Sequence, residues 1–177
     1  EGQKVAIVGL GGLGHMGVQI AAAKGADVTV ISRTSRKAEE AKELGASRTL
    51  ATTEEEDFFK NHRGEFDLIL STISAEYDLE AYLGMLKPRG IMSVVGLPPE
   101  ALPLRLRSIV GGGKVLTGNN IGGIAETQEM LDFCAEHNLG AVIEKVGVDE
   151  VDDAYERVVA GDVKFRFVID TATFADH

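Results

Sequence analysis

The chain has 177 residues, of which 44% are hydrophobic, and its 18 basic and 28 acidic residues leave a formal net charge of −10. This composition is typical of a globular domain with one core, and the acidic balance disfavours nucleic acid, since no basic stripe is present to neutralise a phosphate backbone. No apolar run approaches the roughly 20 residues that span a bilayer and no signal-peptide pattern is present, so we predict a cytoplasmic protein without a membrane contact.

The first half of the chain alternates short apolar runs with helical patterns. We predict strands at Lys4–Val8 and Val28–Ile31, a short strand at Arg48–Ala51 and a fourth at Asp67–Leu70. A small-residue helix begins at Gly14, and a second helix is expected over residues 35–44, capped by Thr34 or Ser35. The acidic residues 54–57 are expected to form the first turn of a third helix, capped by Thr52 or Thr53.

The second half continues the alternation as far as about Asn138. A helix over residues 79–86 and the breaker at residues 87–90 precede a fifth strand at Ile91–Val95. The segment Leu102–Leu106 is predicted to be an edge strand or a turn, Lys114–Thr117 a sixth strand, and Thr127–Glu136 a helix. This α/β alternation predicts a Rossmann doubly wound six-stranded parallel sheet with strand order 3-2-1-4-5-6.

Residues 139–177 do not continue this pattern. They are predicted to form a strand, a helix and a strand, although the six-stranded sheet is already complete. We therefore divide the chain into a dinucleotide-binding domain, residues 1–138, and a C-terminal segment, residues 139–177.

The segment between the first strand and the first helix has the sequence Gly9-Leu10-Gly11-Gly12-Leu13-Gly14. In this context Gly9 allows the tight turn, Gly11 lets the backbone approach a pyrophosphate, and Gly14 lets the helix pack close to the strand. The N–H groups at the start of the helix then face the two phosphates. The sequence therefore predicts a dinucleotide cofactor held by Gly9, Gly11, Gly12, Leu13 and Gly14.

The end of the second strand distinguishes NAD from NADP. An acidic residue about 20 positions after the glycine turn would bind the ribose 2′-hydroxyl of NAD, but Ser32 and Arg33 stand there instead. Hydroxyl and guanidinium groups suit a dianionic 2′-phosphate, so we predict NADP(H).

Catalytic residues are not apparent in the sequence. The four histidines, His15, His62, His137 and His177, are widely separated, and the single cysteine, Cys134, supplies neither a disulfide nor a zinc cage. No Tyr-x-x-x-Lys pair is present either. We interpret Cys134 as a core residue, and His15 as a packing or solvent-facing residue of the first helical turn.

Several motifs resemble the zinc-dependent medium-chain alcohol dehydrogenases, specifically their cinnamyl-alcohol-dehydrogenase-like branch. The matching segments cover nearly the whole chain: residues 9–16, 31–34, 94–96, 118–123 and 162–170. The resemblance implies hydride transfer between NADP(H) and a primary alcohol or aldehyde, with a catalytic zinc polarising the substrate oxygen.

The same resemblance implies roles for individual residues. Ser32, Arg33, Thr34 and Lys37 would surround the 2′-phosphate, although serine is common in the family where Arg33 stands. Other positions would contact the rest of the cofactor: Thr72 and Ser74 the ribose side, Val95 and Leu97 the nicotinamide, Asn119 and Ile121 the carboxamide, and Arg166 the pyrophosphate. Asn119 and Asn120 depart from the family pattern.

In this family the catalytic domain with every zinc ligand precedes the cofactor domain. Together with the Glu1 start, this leads us to expect the C-terminal portion of a longer enzyme, which binds NADP(H) but no zinc and is inactive alone. A homodimer pairing edge strands near Leu102–Leu106 is also implied. Two alternatives stay open: a stand-alone NAD(P)-binding regulatory module, and a methyltransferase with an adenosyl cofactor, which would favour an acid near Ser32.

Overall fold

The computed structural model describes residues 2–176, apart from the side chains of residues 175 and 176. Glu1 and His177, which the sequence analysis mentioned, lie outside the described residues. The chain divides into two compact units, residues 1–139 and 140–177.

The first unit is built on a six-stranded parallel sheet with strand order β3-β2-β1-β4-β5-β6, which confirms the predicted topology. Its strands in chain order are β1 (Lys4–Val8), β2 (Asp27–Ser32), β3 (Arg48–Ala51), β4 (Phe66–Ser71), β5 (Leu86–Val94) and β6 (Val115–Gly118). Because β1 lies between β2 and β4, the chain reverses its direction of winding at β1, where ligands bind in open α/β sheets.

Continuous apolar runs make the central strands. In β1 every residue after Lys4 is buried, and Ile7 aligns with Val30 of β2 and with Leu70 of β4. Ala6, Val30 and Ile69 have no exposed surface. Both faces of the sheet are therefore covered, as the lack of apolar–polar alternation in these strands predicted.

Six helices belong to the first unit: α1 (Gly14–Ala23), α2 (Ala38–Glu43), α3 (Phe58–Asn61), α4 (Leu79–Met85), α5 (Arg107–Val110) and α6 (Ile124–Glu136). A 3-10 turn over Ser35–Lys37 precedes α2. No helix of residues 2–176 is long and apolar enough to cross a bilayer.

The prediction that residues 54–57 begin a helix was wrong. These residues form turns, and α3 begins only at Phe58, after Asp57 has adopted the left-handed conformation with φ 53°. The Thr53 hydroxyl donates to the Arg33 carbonyl at 2.6 Å instead of capping α3. The hydroxyl that was expected to cap a helix is therefore used in a contact with a distant segment.

Of the edge strand or turn predicted at Leu102–Leu106, the strand is absent: the segment has no regular structure up to a turn at Leu106, and β6 lies at that edge of the sheet. Pro103 has no N–H to give to a ladder, so the segment runs as an irregular connection into α5. The predicted breaker before the fifth strand is a bulge within β5, where the register with β4 shifts and Arg89 has φ 63°.

The second unit contains a two-stranded parallel sheet of β7 (Ile143–Val146) and β8 (Arg166–Ile169). Between these strands lie a 3-10 turn over Val148–Glu150 and the helix α7 (Val151–Ala160), which ends at Gly161 in the left-handed conformation. The predicted strand, helix and strand are therefore present, as a parallel pair joined by a helix.

Candidate functional site

The residues predicted to bind the cofactor from the first unit all follow the carboxyl ends of strands. The glycine turn follows β1, and the residues from Ser32 onward end or follow β2. Thr72 and Ser74 follow β4, Val95 and Leu97 follow β5, and Asn119 and Ile121 follow β6. Because the strands are parallel, the fold brings these segments to one edge of the sheet, on both sides of the β1 reversal point.

The glycine turn is held by its neighbours on either side. The Gly9 N–H donates to the Ile31 carbonyl at 2.9 Å, at the end of β2. On the β4 side, the Thr72 N–H and hydroxyl donate to the Val8 carbonyl at 3.0 and 2.9 Å. Gly9 has φ 93°, a left-handed conformation that favours glycine, and a Cβ there would lie 2.7 Å from the Thr72 hydroxyl oxygen.

Gly14 and Gly11 have opposite surroundings. A Cβ on Gly14 would lie 2.0 Å from the Gly9 carbonyl oxygen, so the start of α1 packs directly against the turn. A Cβ on Gly11 would meet no atom of the chain within 4 Å. The turn is therefore tightly packed against the chain at Gly14, whereas the space beside Gly11 is open and has room for a phosphate group.

Helix α1 begins without a side-chain cap. Its N-cap, Leu13, makes no capping hydrogen bond, and no acidic residue lies in the first turn. Hydrogen bonds among the described residues use the Leu13 carbonyl but neither the Leu13 nor the Gly14 N–H. The positive end of a ten-residue helix thus faces the open side of the turn, an arrangement that stabilises an anion.

His15 contributes to the packing of this turn. Its side chain is fully buried, and the ring nitrogen Nδ1 lies 3.0 Å from the Gly11 carbonyl oxygen. Of the two interpretations offered from the sequence, packing and solvent exposure, the structure supports packing.

A cavity of about 660 Å³ adjoins the turn between the ends of β1, β2 and β4. One side is formed by Val8, Gly9, Ile31, Ser32 and Arg33, and the other carries the rings of Phe59, Tyr77 and Tyr82. Phe59 and Tyr77 each pack edge-to-face on Tyr82, with centroids 5.1 and 5.6 Å apart. The cavity has the size and mixed lining of a small-molecule site, and Glu76 and Asp78 also line it.

The aromatic wall was not anticipated from the sequence. Phe59 comes from α3, Tyr77 from the loop after β4, and Tyr82 from α4. Burial, and to a lesser degree Tyr77, raises the pKa of Tyr82 to about 12, so its phenol stays neutral. The helical spacing of Leu79, Tyr82 and Leu83 was visible, but that pattern indicates only a buried helix face.

The residues at the end of β2 lie at the mouth of this cavity. Ser32 is half-buried and lines it with Arg33, whose exposed guanidinium makes no ion pair within residues 2–176. Thr34 is exposed, and Lys37 lies half-buried in the 3-10 turn. No carboxylate stands at the strand end itself.

The predicted caps for this segment were wrong. Neither the Thr34 nor the Ser35 side chain caps the turn, and the Ser35 N–H instead donates to Glu54 Oε1 at 2.9 Å. The backbone and side-chain hydrogen bonds from Ser35 lower the pKa of Glu54, which stays ionised.

The segments after β4, β5 and β6 form the other half of the edge. Ser74 is exposed, Val95 is half-buried and Leu97 is exposed. A Cβ on Gly96 would lie 2.2 Å from the Ile73 carbonyl oxygen, so the loops after β4 and β5 are in close contact. The Asn119 side chain accepts from the Asn120 N–H at 2.9 Å, and Ile121 is exposed.

One residue that was predicted to contact the cofactor lies in the second unit of the chain. Arg166 is the first residue of β8 and belongs to the second unit. Within the part of the chain that the structure describes, no group of three or more His, Cys, Asp or Glu side chains is arranged to hold a metal ion.

Comparison with known proteins identifies close relatives. A family model described as zinc-binding dehydrogenase matches residues 12–136. The NADP-dependent alcohol dehydrogenase C 1 of Mycolicibacterium smegmatis is 52% identical over 172 residues, which are 97% of this chain and 49% of that protein. The aldehyde reductase YahK of Escherichia coli is 44% identical over 177 residues, 99% of this chain and 50% of that protein.

Solved structures resemble the fold closely. A cinnamyl alcohol dehydrogenase from Sorghum bicolor superposes with a TM-score of 0.91 at 44% identity, over 97% of this chain and 48% of that one. A cinnamyl alcohol dehydrogenase from Helicobacter pylori, complexed with NADP(H), gives a TM-score of 0.86 at 39% identity, over 97% and 49%. The chain spans about half the length of the curated relatives it matches.

Proposed function

The chain belongs to the zinc-binding dehydrogenase family, and we propose that it forms the NADP(H)-binding portion of an alcohol dehydrogenase or aldehyde reductase. The resemblance inferred from the sequence is confirmed at the level of the family. Relatives described as an NADP-dependent alcohol dehydrogenase and an aldehyde reductase support the cofactor and the type of substrate.

The glycine turn fits the pyrophosphate of such a cofactor. The open space at Gly11 and the N–H groups of Leu13 and Gly14 would receive the phosphates. The cavity beside β2 and β4 would receive the adenosine, with the rings of Phe59 and Tyr77 along one wall. When bound, the nicotinamide supplies or accepts a hydride. Val95 and Leu97 would lie behind its ring, Asn119 and Ile121 would contact its carboxamide, and Thr72 and Ser74 would lie along the ribose side.

The observation that carries the preference for NADP(H) is the chemistry at the end of β2. Ser32 and the unpaired guanidinium of Arg33 stand at the cavity mouth, where an NAD-specific site would have a carboxylate. Thr34 and Lys37 follow Arg33 in the sequence, one and four residues later. A guanidinium binds a phosphate through charge-assisted hydrogen bonds but gains little from a ribose hydroxyl.

Calorimetric titration of the chain with NADPH and NADH tests this proposal. We expect NADPH to bind at least tenfold more tightly, since a hydrogen bond to a charged group contributes about 1.5–3 kcal/mol. The substitution Arg33→Ala should remove most of that difference by weakening NADPH alone. Lys42→Ala is the matched control, because Lys42 is an exposed cation on α2 whose side chain makes no hydrogen bond or ion pair within residues 2–176. Equal binding of NADPH and NADH by the unaltered chain would refute the proposal.

The activity of the whole enzyme goes beyond this chain. We propose that a longer protein carries out zinc-dependent hydride transfer between NADP(H) and a primary alcohol or aldehyde, and that this chain alone does not turn over substrate. Arg166 would contact the pyrophosphate in that protein. The assay is aldehyde reduction by the chain with added zinc. Turnover at the rate of a complete dehydrogenase would contradict the proposal that this chain alone is inactive.

We also propose that the enzyme is a homodimer with residues 102–106 in its interface. Within this segment Leu106 is 73% exposed, and β6, the strand at the edge of the sheet, exposes Val115. Edge strands with exposed apolar residues favour pairing with another chain. Sedimentation measures the association state, and a monomer at high concentration would argue against this interface.

A further inference from the structure

The loop after β3 is joined to the loop after β2 by consecutive hydrogen bonds. The Thr52 N–H donates to the Ser32 carbonyl at 2.9 Å, and the Thr53 N–H donates to the Arg33 carbonyl at 3.1 Å. The Thr53 hydroxyl donates to the same Arg33 carbonyl. The backbone on which Ser32 and Arg33 are carried is therefore positioned by Thr52 and Thr53.

The carboxylate of Glu54 adds a charged group to the contact between these two loops. Its Oε1 accepts the Ser35 N–H at 2.9 Å, and the Ser35 side chain is a second hydrogen-bonding partner. Both donors lie two residues beyond Arg33, next to the position proposed for the 2′-phosphate. A carboxylate therefore already accepts hydrogen bonds from donors that a phosphate in that position would also attract.

We propose that Glu54 is a specificity-determining residue that limits the preference of this site for NADP(H) over NAD(H). Its carboxylate occupies the Ser35 donors and its negative charge opposes a 2′-phosphate beside Arg33. The 2′-hydroxyl of NAD(H) carries no charge and experiences no such repulsion. The inference rests on the proposed NADP(H) site and deepens it.

The neighbouring acids do not share this position. The Glu55 carboxylate is turned towards Asn61 and His62, to which it is hydrogen-bonded at 2.9 and 3.0 Å. The Glu56 side chain is exposed and makes no hydrogen bond or ion pair within residues 2–176. Glu54 is thus the acid of this run that contacts the 32–35 segment, and Glu56 is a control that differs in contact but not in charge.

The substitution Glu54→Gln removes the charge and keeps an oxygen that accepts the Ser35 N–H. At moderate ionic strength, loss of one nearby opposing charge should tighten NADPH binding by about three- to tenfold. NADH binding should change by less than about twofold, because the ribose hydroxyl is neutral. The gain should shrink as salt is raised.

The test is calorimetric titration of Glu54→Gln and Glu56→Gln chains with NADPH and with NADH, at low and high salt. A gain for NADPH that is confined to Glu54→Gln supports the proposal. Equal gains in both variants would mean that only the net charge matters, and this result would overturn the proposal. Weaker NADPH binding in Glu54→Gln would mean that the carboxylate assists phosphate binding, and this result would overturn the proposal as well. Failure of the proposed function is distinct, because the unaltered chain would then bind NADPH no better than NADH.

Discussion

The two units of the chain use the same elements, parallel strands and connecting helices, but bury them to very different extents. In the first unit the residues with no exposed surface include Ala6, Val30 and Ile69 of the central strands, together with Phe66, Leu83 and Met85. In the second unit the buried hydrophobic side chains are Val146, Ala154 and Phe165. A parallel sheet needs helices on both faces to be covered, and a two-stranded sheet with one α-helix does not provide them.

The second unit also exposes much apolar surface for its size. Its large hydrophobic side chains that are more than a third exposed are Val142, Ile143, Tyr155, Val158, Val159, Val168, Ile169 and Phe174. Apolar patches of this kind on a small unit mark surfaces that another part of a protein covers. The first unit therefore has a core of its own, whereas we expect the second to need further contacts to be stable.

The largest effect is expected when the units are separated. Residues 1–139 should fold and unfold cooperatively, whereas residues 140–177 alone should be unfolded, since fewer than about 40 residues rarely form a stable core without disulfides or metals. Circular dichroism of the two polypeptides, followed by urea titration of each, measures this. A cooperative transition in the 140–177 polypeptide would remove the distinction between the units.

A smaller effect distinguishes two buried phenylalanines. Phe66 is fully buried in the large core, so Phe66→Ala should destabilise the first unit by about 3–5 kcal/mol. Phe165, 5% exposed in the second unit, is the matched control: Phe165→Ala should leave the main urea transition unchanged and affect only hydrogen exchange around β8. Equal shifts of the main transition would show that the two units unfold together.

The smallest effect concerns the polar surface of the first unit. The ring nitrogens of His62 lie 2.7 Å from Glu65 Oε2 and 3.0 Å from Glu55 Oε2. Burial lowers the pKa of His62, but these hydrogen bonds outweigh it and raise the pKa above 6.5. Protonated His62 therefore stabilises the fold fully below about pH 6.5, and this contribution is lost as the pH rises through the higher pKa of the folded state.

Urea midpoints between pH 6 and pH 8.5 test this pH dependence. The midpoint of the unaltered chain should fall as the pH rises, and His62→Gln should flatten that decline. His137→Gln is the control, because His137 stacks on Phe133 and contacts no carboxylate within residues 2–176. If the fall of the urea midpoint with pH persists in His62→Gln and disappears in His137→Gln, then His137 and not His62 causes the pH dependence, which would contradict the prediction.

The sheet was predictable because its signals are local. Uninterrupted apolar runs such as Lys4–Val8 indicated strands buried on both faces, and strict alternation with helices then determined the strand order. The glycine turn was equally legible, since Gly9 and Gly14 are required by a left-handed φ and by a 2.0 Å approach. Each of these constraints acts within one strand–turn–helix unit.

What sequence analysis missed depends on contacts between distant segments. The turns at residues 54–57 replace a helix because Thr53 and Glu54 bond to Arg33 and Ser35, about 20 positions earlier. The aromatic wall is assembled from Phe59, Tyr77 and Tyr82, which no local periodicity relates. Local propensity carries no information about such partners, so these features became visible only in three dimensions.

The bonds that hold the glycine turn have a consequence for how a cofactor binds. Gly9 is anchored to Ile31, and Thr72 is anchored to Val8, by hydrogen bonds between groups of the chain itself. The conformational entropy of the turn is therefore lost when the chain folds and not when the dinucleotide arrives. A dinucleotide bound as proposed would therefore meet a turn that is already ordered, and the ordering left for binding would be that of the dinucleotide itself.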